Sequence, residues 1–400
     1  MNSILSDRIN QMEESATLAM AKKARELKAQ GIDIISLSLG EPDFKTPKHI
    51  QEAAKASIDE GKYFAYPPVA GYQDLREAIA KKLKDDNQIS EAKAENIVVS
   101  TGAKHSIANV FMCMINEGDE VVIFSPYWVS YAEIIKLAGG VPVLIQGNLE
   151  NNFKATAAQL EEALTDKTKA IIYSSPCNPT GSVFSKEELE AIAAVVKRRE
   201  NLFVIADEIY ELINFTGKHA SIASFPGMFE RTITVNGFSK GYAMTGWRVG
   251  YICAPVFIAK ACEKMQGQFT SGGTGIAQRA ALAAILGDQN PSKKMEEAYL
   301  KRRDLVLGLL RDIPGVKTHV PEGAFYFFPD VTAFYGKSVE GYTVKSADDI
   351  CLYLLEKANV SLVTGEAFGA PDCVRLSYAA SEEDLIEALK RMKNALSQLK

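Results

Sequence analysis

Gly237-Phe238-Ser239-Lys240-Gly241-Tyr242-Ala243-Met244-Thr245-Gly246-Trp247-Arg248-Val249-Gly250 is the stretch whose reading decides this chain. Residues 231–239 read as a strand, so Lys240 stands at a strand end. A lone lysine in that position is usually a solvated surface residue. Here a glycine-containing turn follows it, and a second cation, Arg248, stands eight positions on (248 − 240 = 8). In open α/β sheets ligands gather at the carboxyl ends of strands, where loops converge. A patterned loop with two cations at that place calls for a chemical reason.

Outward from it, strand and helix signals alternate. Residues 96–100 read as a strand, followed by a helix whose apolar positions Ile107, Val110, Phe111 and Met114 recur at helical spacing. Strands are expected at 121–124 and 141–145, with a helix over 131–138 between them. Residues 169–175 read as a buried strand running into the turn-rich stretch 176–181. Ser185 and Glu188 form a capping-box pattern at the head of a helix reaching residue 199. Further strands are expected at 202–208 and 249–254. This alternation predicts an α/β fold with a mostly parallel sheet between helices. After about residue 290 the character changes. A long charged helix is expected over 293–311, then short strands at 325–328, 361–363 and 374–379 alternating with helices. The last helix takes Ser381 as its cap and is expected to bury Leu385, Ile386, Leu389, Met392 and Leu396. This part reads as a smaller α+β domain.

Composition narrows the function classes. At 400 residues, 47% hydrophobic and 24% charged, the chain has ordinary globular make-up and room for more than one domain. The net charge of -5 and the lack of a Lys/Arg block argue against nucleic acid as a partner. Residues 1–11 are polar, with Asp7 and Arg8 where a signal peptide needs an apolar segment, and apolar runs such as 280–286 are far shorter than a bilayer span. A cytoplasmic protein with no membrane partner is expected. The six cysteines show no C-x-x-C spacing and the four histidines are scattered singly, so neither zinc nor a disulfide framework is expected, and the implied cofactor is organic.

Three other loops carry unusual residues. Thr101-Gly102-Ala103-Lys104 lies between a strand and a helix N-terminus, where small residues leave N–H groups free to hold an anion; the same residues also suit a plain steric turn. Asn178-Pro179-Thr180-Gly181 has ordinary turn chemistry. Asp207-Glu208-Ile209-Tyr210 follows an apolar run, and an acid there is costly unless a cation meets it or it caps a helix.

The 237–250 segment resembles the cofactor-lysine signature of the class I aminotransferases, in the aspartate aminotransferase family. Ser15-Ala16-Thr17, Gly40-Glu41-Pro42-Asp43-Phe44, Ser125-Pro126-Tyr127-Trp128, Asn178-Pro179-Thr180-Gly181, Asp207 with Tyr210, and Val374-Arg375-Leu376-Ser377-Tyr378 extend that resemblance along nearly the whole chain. It implies the pyridoxal-phosphate-dependent fold type I: an N-terminal segment over 1–47 that joins the small domain, a large domain over 48–289, and a C-terminal small domain over 290–400. It implies pyridoxal 5'-phosphate carried as a Schiff base on Lys240, which would also move the Cα proton. Asp207 would hold the pyridine nitrogen protonated, Tyr210 and Asn178 would bond the phenolic oxygen, and Trp128 would stack on the ring. Arg248, Ser239 and the backbone of Gly102, Ala103 and Lys104 would bind the phosphate, joined by Tyr66 from the second subunit of a homodimer with shared active sites. Gly237 departs from branches that carry a phosphate-binding serine there. Arg375, with backbone contact from Gly40, would grip the substrate α-carboxylate through two parallel hydrogen bonds.

Substrate choice rests on finer features. Residues 266–278 contain no Arg or Lys in the loop where one branch places its distal-carboxylate arginine. The chain instead resembles a bacterial branch in which Lys104, Ser15 and Thr17 would do that work. Aspartate with 2-oxoglutarate is the expected pair. Prephenate or aromatic transamination is the alternative, and Glu13 and Glu14 stand where prephenate-active members carry a basic residue.

Overall fold

Runs of Val and Ile suit a pleated sheet covered on both faces, and they build the centre of this molecule. The computed structural model describes residues 4–400; the first three residues of the N-terminal segment lie outside it. The strands in chain order are β1 (Ile35–Ser36), β2 (Ile97–Ser100), β3 (Glu120–Ser125), β4 (Val141–Gln146), β5 (Thr168–Ser174), β6 (Phe203–Asp207), β7 (Thr232–Gly237) and β8 (Gly250–Cys253). Seven of them form one sheet in the order β2-β8-β7-β6-β5-β3-β4. The pairs among β3 to β7 are parallel, and only β8 runs against its neighbours β2 and β7. The mostly parallel expectation therefore holds.

Alternate residues serve opposite faces of the sheet. Ile123, Ile172, Ile205 and Val235 pack with Ile107, Val110 and Phe111 of the helix Ala103–Met114. Val122, Ile171, Tyr173 and Val204 face the other way, onto Leu189, Ile192 and Val196 of the helix Lys186–Lys197. Ser185 and Glu188 cap that helix reciprocally, as their spacing predicts.

Beyond the helix Asn290–Arg311 come β9 (Tyr326–Phe327), β10 (Ser338–Val339), β11 (Tyr342–Thr343), β12 (Val360–Ser361), β13 (Val363–Thr364) and β14 (Val374–Ser377). β13, β14 and β9 form an antiparallel sheet, while β1 pairs in parallel with β12, so the N-terminal segment joins this part of the chain. The strand expected at 361–363 is two short strands that turn at buried Leu362. Ser381 caps the helix Glu382–Leu396, and Leu385, Leu389, Met392 and Leu396 are buried. Ile386 is a correction: it is 46% exposed. It lies about 100° round the helix from Leu385 and so leaves the stripe that the other four share. No described helix is long and apolar enough to cross a membrane.

The strand ends converge on one place. Ser100, Ser125, Ser174, Asp207 and Gly237 close β2, β3, β5, β6 and β7, and the loops after them carry the residues singled out in the sequence. Gly237 faces Gly250 across β7 and β8. A Cβ on Gly237 would lie 2.9 Å from the Gly250 Cα, and one on Gly250 would lie 2.3 Å from the Ala103 nitrogen. Gly250 lets β8 press against the Gly102-Ala103 turn, and Gly237 leaves room for Gly250 across the strand pair. Gly250→Ala should therefore lower stability by about 1–3 kcal/mol through overpacking. Gly246→Ala, where an added Cβ meets nothing within 4 Å, should cost far less. Urea unfolding of both variants checks this, and equal midpoints would remove the close-approach argument.

Candidate active site

A cavity of about 670 Å³ opens where the strand ends meet. Its lining includes Ser15, Thr17, Gly40, Ala103, Lys104, Trp128, Asn178, Asp207, Tyr210, Ser239, Lys240, Arg248 and Arg375. Residues separated by up to 360 positions in the chain (375 − 15 = 360) thus share one space. Gly102 backs this wall: a Cβ there would lie 2.4 Å from an Arg248 guanidinium nitrogen. Tyr66 lies outside the lining and is 90% exposed.

Lys240 donates from Nζ to the Gly40 carbonyl at 2.5 Å. Burial of the amine lowers its pKa to about 8; Glu41 and Asp207 oppose the shift, and the charges of Arg375 and Arg248 add to it. Asp207 is buried at the end of β6, where its Oδ2 accepts from the Tyr131 hydroxyl at 2.5 Å and its Oδ1 from the Ile209 N–H at 3.2 Å. Burial raises its pKa to about 6, against the pull of those two donors. The acid and the amine are each pushed toward neutrality by the same lack of water.

Arg375 is buried between the rings of Tyr326 and Phe368, with its guanidinium carbon 4.6 and 4.8 Å from their centres. It donates to Asn178 Oδ1 at 2.9 Å and to the Ser38 carbonyl at 2.6 Å, and its buried Nε has no partner among the described residues. The Tyr210 and Tyr326 hydroxyls are 2.7 Å apart. Lys104 holds its ammonium 4.9 Å from the Trp128 ring centre, and burial, followed by the charge of Arg248, lowers its pKa. Arg248 adopts a left-handed backbone, with φ of 55°, and anchors one guanidinium nitrogen on the Thr245 carbonyl at 2.9 Å. The cavity therefore offers an amine whose pKa is lowered to about 8, a buried carboxylate and three further cationic side chains.

Comparison with known proteins agrees with this geometry. Residues 32–392 match the family described as aminotransferase class I and II. The chain belongs to that family. An aspartate aminotransferase of Bacillus sp. (strain YM-2) is 44% identical over 394 residues, covering 98% of this chain and 99% of that protein. A bifunctional aspartate aminotransferase and glutamate/aspartate-prephenate aminotransferase of Petunia hybrida is 45% identical, over 99% of this chain and 83% of that protein. A solved structure of the Thermus thermophilus aspartate aminotransferase with maleate superimposes with a TM-score of 0.92 at 40% identity, over 98% of this chain and 99% of that one. The architecture is thus fold type I, as the class I resemblance implies.

Around this aminotransferase site stand residues that the sequence did not single out. Tyr131 opens an expected helix, and Tyr326 sits in an expected strand, so each has an ordinary local explanation. Their polar partners are 76 and 116 positions away, beyond any spacing rule. Behind Asp207 lies a further group. Glu208, Glu211 and His219 bring three ligand-type atoms within 4.8 Å of one another, although the histidines look isolated in the sequence. Protein partners already meet the two carboxylates of this group, while His219 Nδ1 is buried without a hydrogen-bond partner among the described residues. Glu211 pairs with Lys82 and accepts from Asn87 at 2.6 Å. Glu208 accepts from Ser221 at 2.7 Å and lies 3.0 Å from His219 Nε2. It is a buried ion cluster that braces the loop after β6.

The cluster sets opposite pH limits. For Glu211 burial raises the pKa, but Lys82, His219 and Asn87 together outweigh it and the net shift is downward. Its stabilisation is present above the ordinary carboxylate range and is lost as pH falls through the folded value. For His219 burial lowers the pKa, but Glu208 and Glu211 together outweigh it and the net shift is upward. Its stabilisation is full below about pH 6.5 and is lost as pH rises through the folded value. His219→Asn should therefore show its largest stability deficit near pH 6, narrowing on the alkaline side. Urea unfolding across a pH series checks it; a deficit that stays flat with pH would show that the imidazole carries no charge there.

Proposed function

We propose that this aminotransferase transfers the amino group between L-aspartate and 2-oxoglutarate, giving oxaloacetate and L-glutamate, with pyridoxal 5'-phosphate held on Lys240. The observation that carries the reading is a single cavity in which a near-neutral lysine amine and a buried acid lie between cations suited to two separate carboxylates.

The residues present fit the cofactor. Arg248, packed on Gly102 beside the N-terminus of the helix Ala103–Met114, suits a phosphate, with Ser239, Ala103 and Lys104 on the same wall. A Cβ at Gly237 is excluded by Gly250, so the hydroxyl for this anion falls to Ser239. When bound, the cofactor supplies an electron sink for the carbanion formed at the substrate Cα. Asp207 would keep a proton on the pyridine nitrogen, whose positive charge offsets the desolvation of the carboxylate. Tyr210 and Asn178 would bond the phenolic oxygen, and Trp128 would cover the ring face. Lys240, with a pKa already near neutral, would take the proton from Cα and return it.

Arg375 would bind the α-carboxylate, using the nitrogen that lacks a partner, beside Gly40. Lys104, with Ser15 and Thr17, would bind the distal carboxylate. A lysine at a helix N-terminus, desolvated and close to Arg248, is unfavourable until an anion arrives. Prephenate also carries two carboxylates, and the Petunia relative is bifunctional, so prephenate amination is the second reading. Exposed Tyr66, beside exposed Phe64, supports a homodimer in which it reaches the partner's phosphate. The core that joins Ile35 and Leu37 to residues from 295 onward supports a small domain built from 1–47 and 290–400 around a large domain of 48–289, which contributes Ile209, Tyr210 and Ile213 where the two meet. Six free cysteines accord with a cytoplasmic enzyme.

Purified protein should be yellow, and borohydride should fix the cofactor on Lys240. A Lys240→Ala variant should be inactive; turnover of amino acid by that variant would end the proposal. Lys104→Ala should raise KM for aspartate about 10- to 100-fold, the worth of a charge-assisted hydrogen bond, while KM for a neutral amino acid moves little. An equal effect on both substrates would remove the distal-carboxylate role.

A further inference from the structure

Tyr326 touches three parts of the site at once. It lies in β9, fully buried, with its ring against the Arg375 guanidinium and its hydroxyl 2.7 Å from that of Tyr210. Gly40 presses on the same hydroxyl so closely that a Cβ there would lie 2.3 Å from it. The Gly40 carbonyl in turn accepts from Lys240. A phenylalanine would fill the same volume and keep its face to Arg375, so packing alone does not account for a hydroxyl here. A buried hydroxyl needs a partner, and Tyr210 is the one it has.

The pair shares one proton along its contact, and the stronger acid is the better donor. The Arg375 charge sits over the Tyr326 ring and stabilises its phenolate, which favours Tyr326 as the donor. The pKa directions agree: burial raises both phenols and Arg375 pulls both back, while the contact between them lowers Tyr326 and raises Tyr210. With its oxygen accepting from Tyr326, Tyr210 has its own proton free. Successive hydrogen bonds polarise one another, so Tyr210 also becomes the stronger donor.

We propose that Tyr326 is a positioning residue that donates to Tyr210 and so aims the Tyr210 proton at the cofactor's phenolic oxygen, tying carboxylate capture at Arg375 to the charge on the cofactor. This rests on the reading of Lys240 as the cofactor's attachment. A hydrogen bond to the phenolic oxygen withdraws negative charge that would otherwise hold a proton on the nitrogen joining cofactor and lysine. Tyr326 therefore lowers the pH at which that nitrogen titrates. A carboxylate bound at Arg375 offsets the guanidinium charge, weakens Tyr326 as a donor and raises that pH.

The test is a pH titration of the visible absorbance of the purified holoenzyme, with and without maleate as an unreactive dicarboxylate. Tyr326→Phe should remain yellow and titrate roughly one pH unit higher, the worth of one hydrogen bond. The upward shift caused by maleate should be smaller in that variant, leaving the part that Arg375 passes through Asn178. Tyr210→Phe should also titrate higher, and adding Tyr326→Phe to it should produce no further rise. Should Tyr326→Phe fold poorly, the maleate-induced shift in Tyr210→Phe serves as the second measurement, and it too should be reduced. A coloured wild type whose Tyr326→Phe variant titrates at the same pH overturns this proposal alone, as do additive shifts in the double variant. A colourless wild type that takes up no pyridoxal 5'-phosphate overturns the cofactor reading as well.

Discussion

A primary amine held away from water, in the same cavity as a buried carboxylate, is the constraint around which this molecule is organised. Burial works on both groups, bringing Lys240 down to about 8 and Asp207 up to about 6. Neither has a direct ion-pair partner within the site: Lys240 donates to a backbone carbonyl, and Asp207 accepts from a phenol and an amide. Such a pair is well suited to a ligand that brings its own cation to the acid and a reactive carbon to the amine. Placing both groups needs the sheet, because Asp207 ends β6 and Lys240 follows β7 directly beside it. It also needs the N-terminal segment, because the carbonyl that orients Lys240 belongs to Gly40, just after β1. The two regions of core therefore meet at one amine.

How much of this was legible in the sequence follows from how far each signal travels along the chain. Strand and helix periodicity is local, so every strand of the large sheet was placed within a residue or two. The strand-end residues Asp207, Asn178 and Lys240 could be read because a parallel sheet delivers its loops to one edge. The C-terminal strands are only two to four residues long, and there local pattern blurred, as at Leu362. Ile386 failed for a geometric reason: hydrophobicity alone placed it inside, while its angle on the helix turned it out. The supporting polar residues were invisible. Tyr131 and Tyr326 look like ordinary aromatic residues of a helix and a strand until the fold brings their partners close. His219 looked solitary because its carboxylate neighbours, Glu208 and Glu211, meet it only through the fold of the loop after β6.

Gly237 shows the structure resolving a departure that the sequence only registers. Read alone, a glycine where related chains carry a serine looks like a lost phosphate contact. Across the sheet it faces Gly250, and each is short of room for a side chain. The Gly250 backbone is what leaves no room for a serine at 237, and the missing side chain of Gly250 is what lets β8 lie against the Gly102-Ala103 turn. The close approach of β8 to that turn and the absence of a hydroxyl at 237 thus both follow from packing around Gly250.

The charges of the cavity carry the argument to the ligands. Lys104, Arg248 and Arg375 line it together with Lys240, against only Asp207 and Glu41 on the acidic side. Burial and then like charge lower the pKa of Lys104 and of Lys240; Glu41 and Asp207 offset part of the repulsion at Lys240, while no carboxylate offsets it at Lys104. A monoanionic ligand would meet one of these cations and leave the others facing each other. A phosphate at Arg248, together with a substrate bearing one carboxylate for Arg375 and a second for Lys104, meets all three. The arrangement therefore favours dicarboxylates by relief of repulsion as well as by direct contact, and it does so without the distal arginine that other branches use.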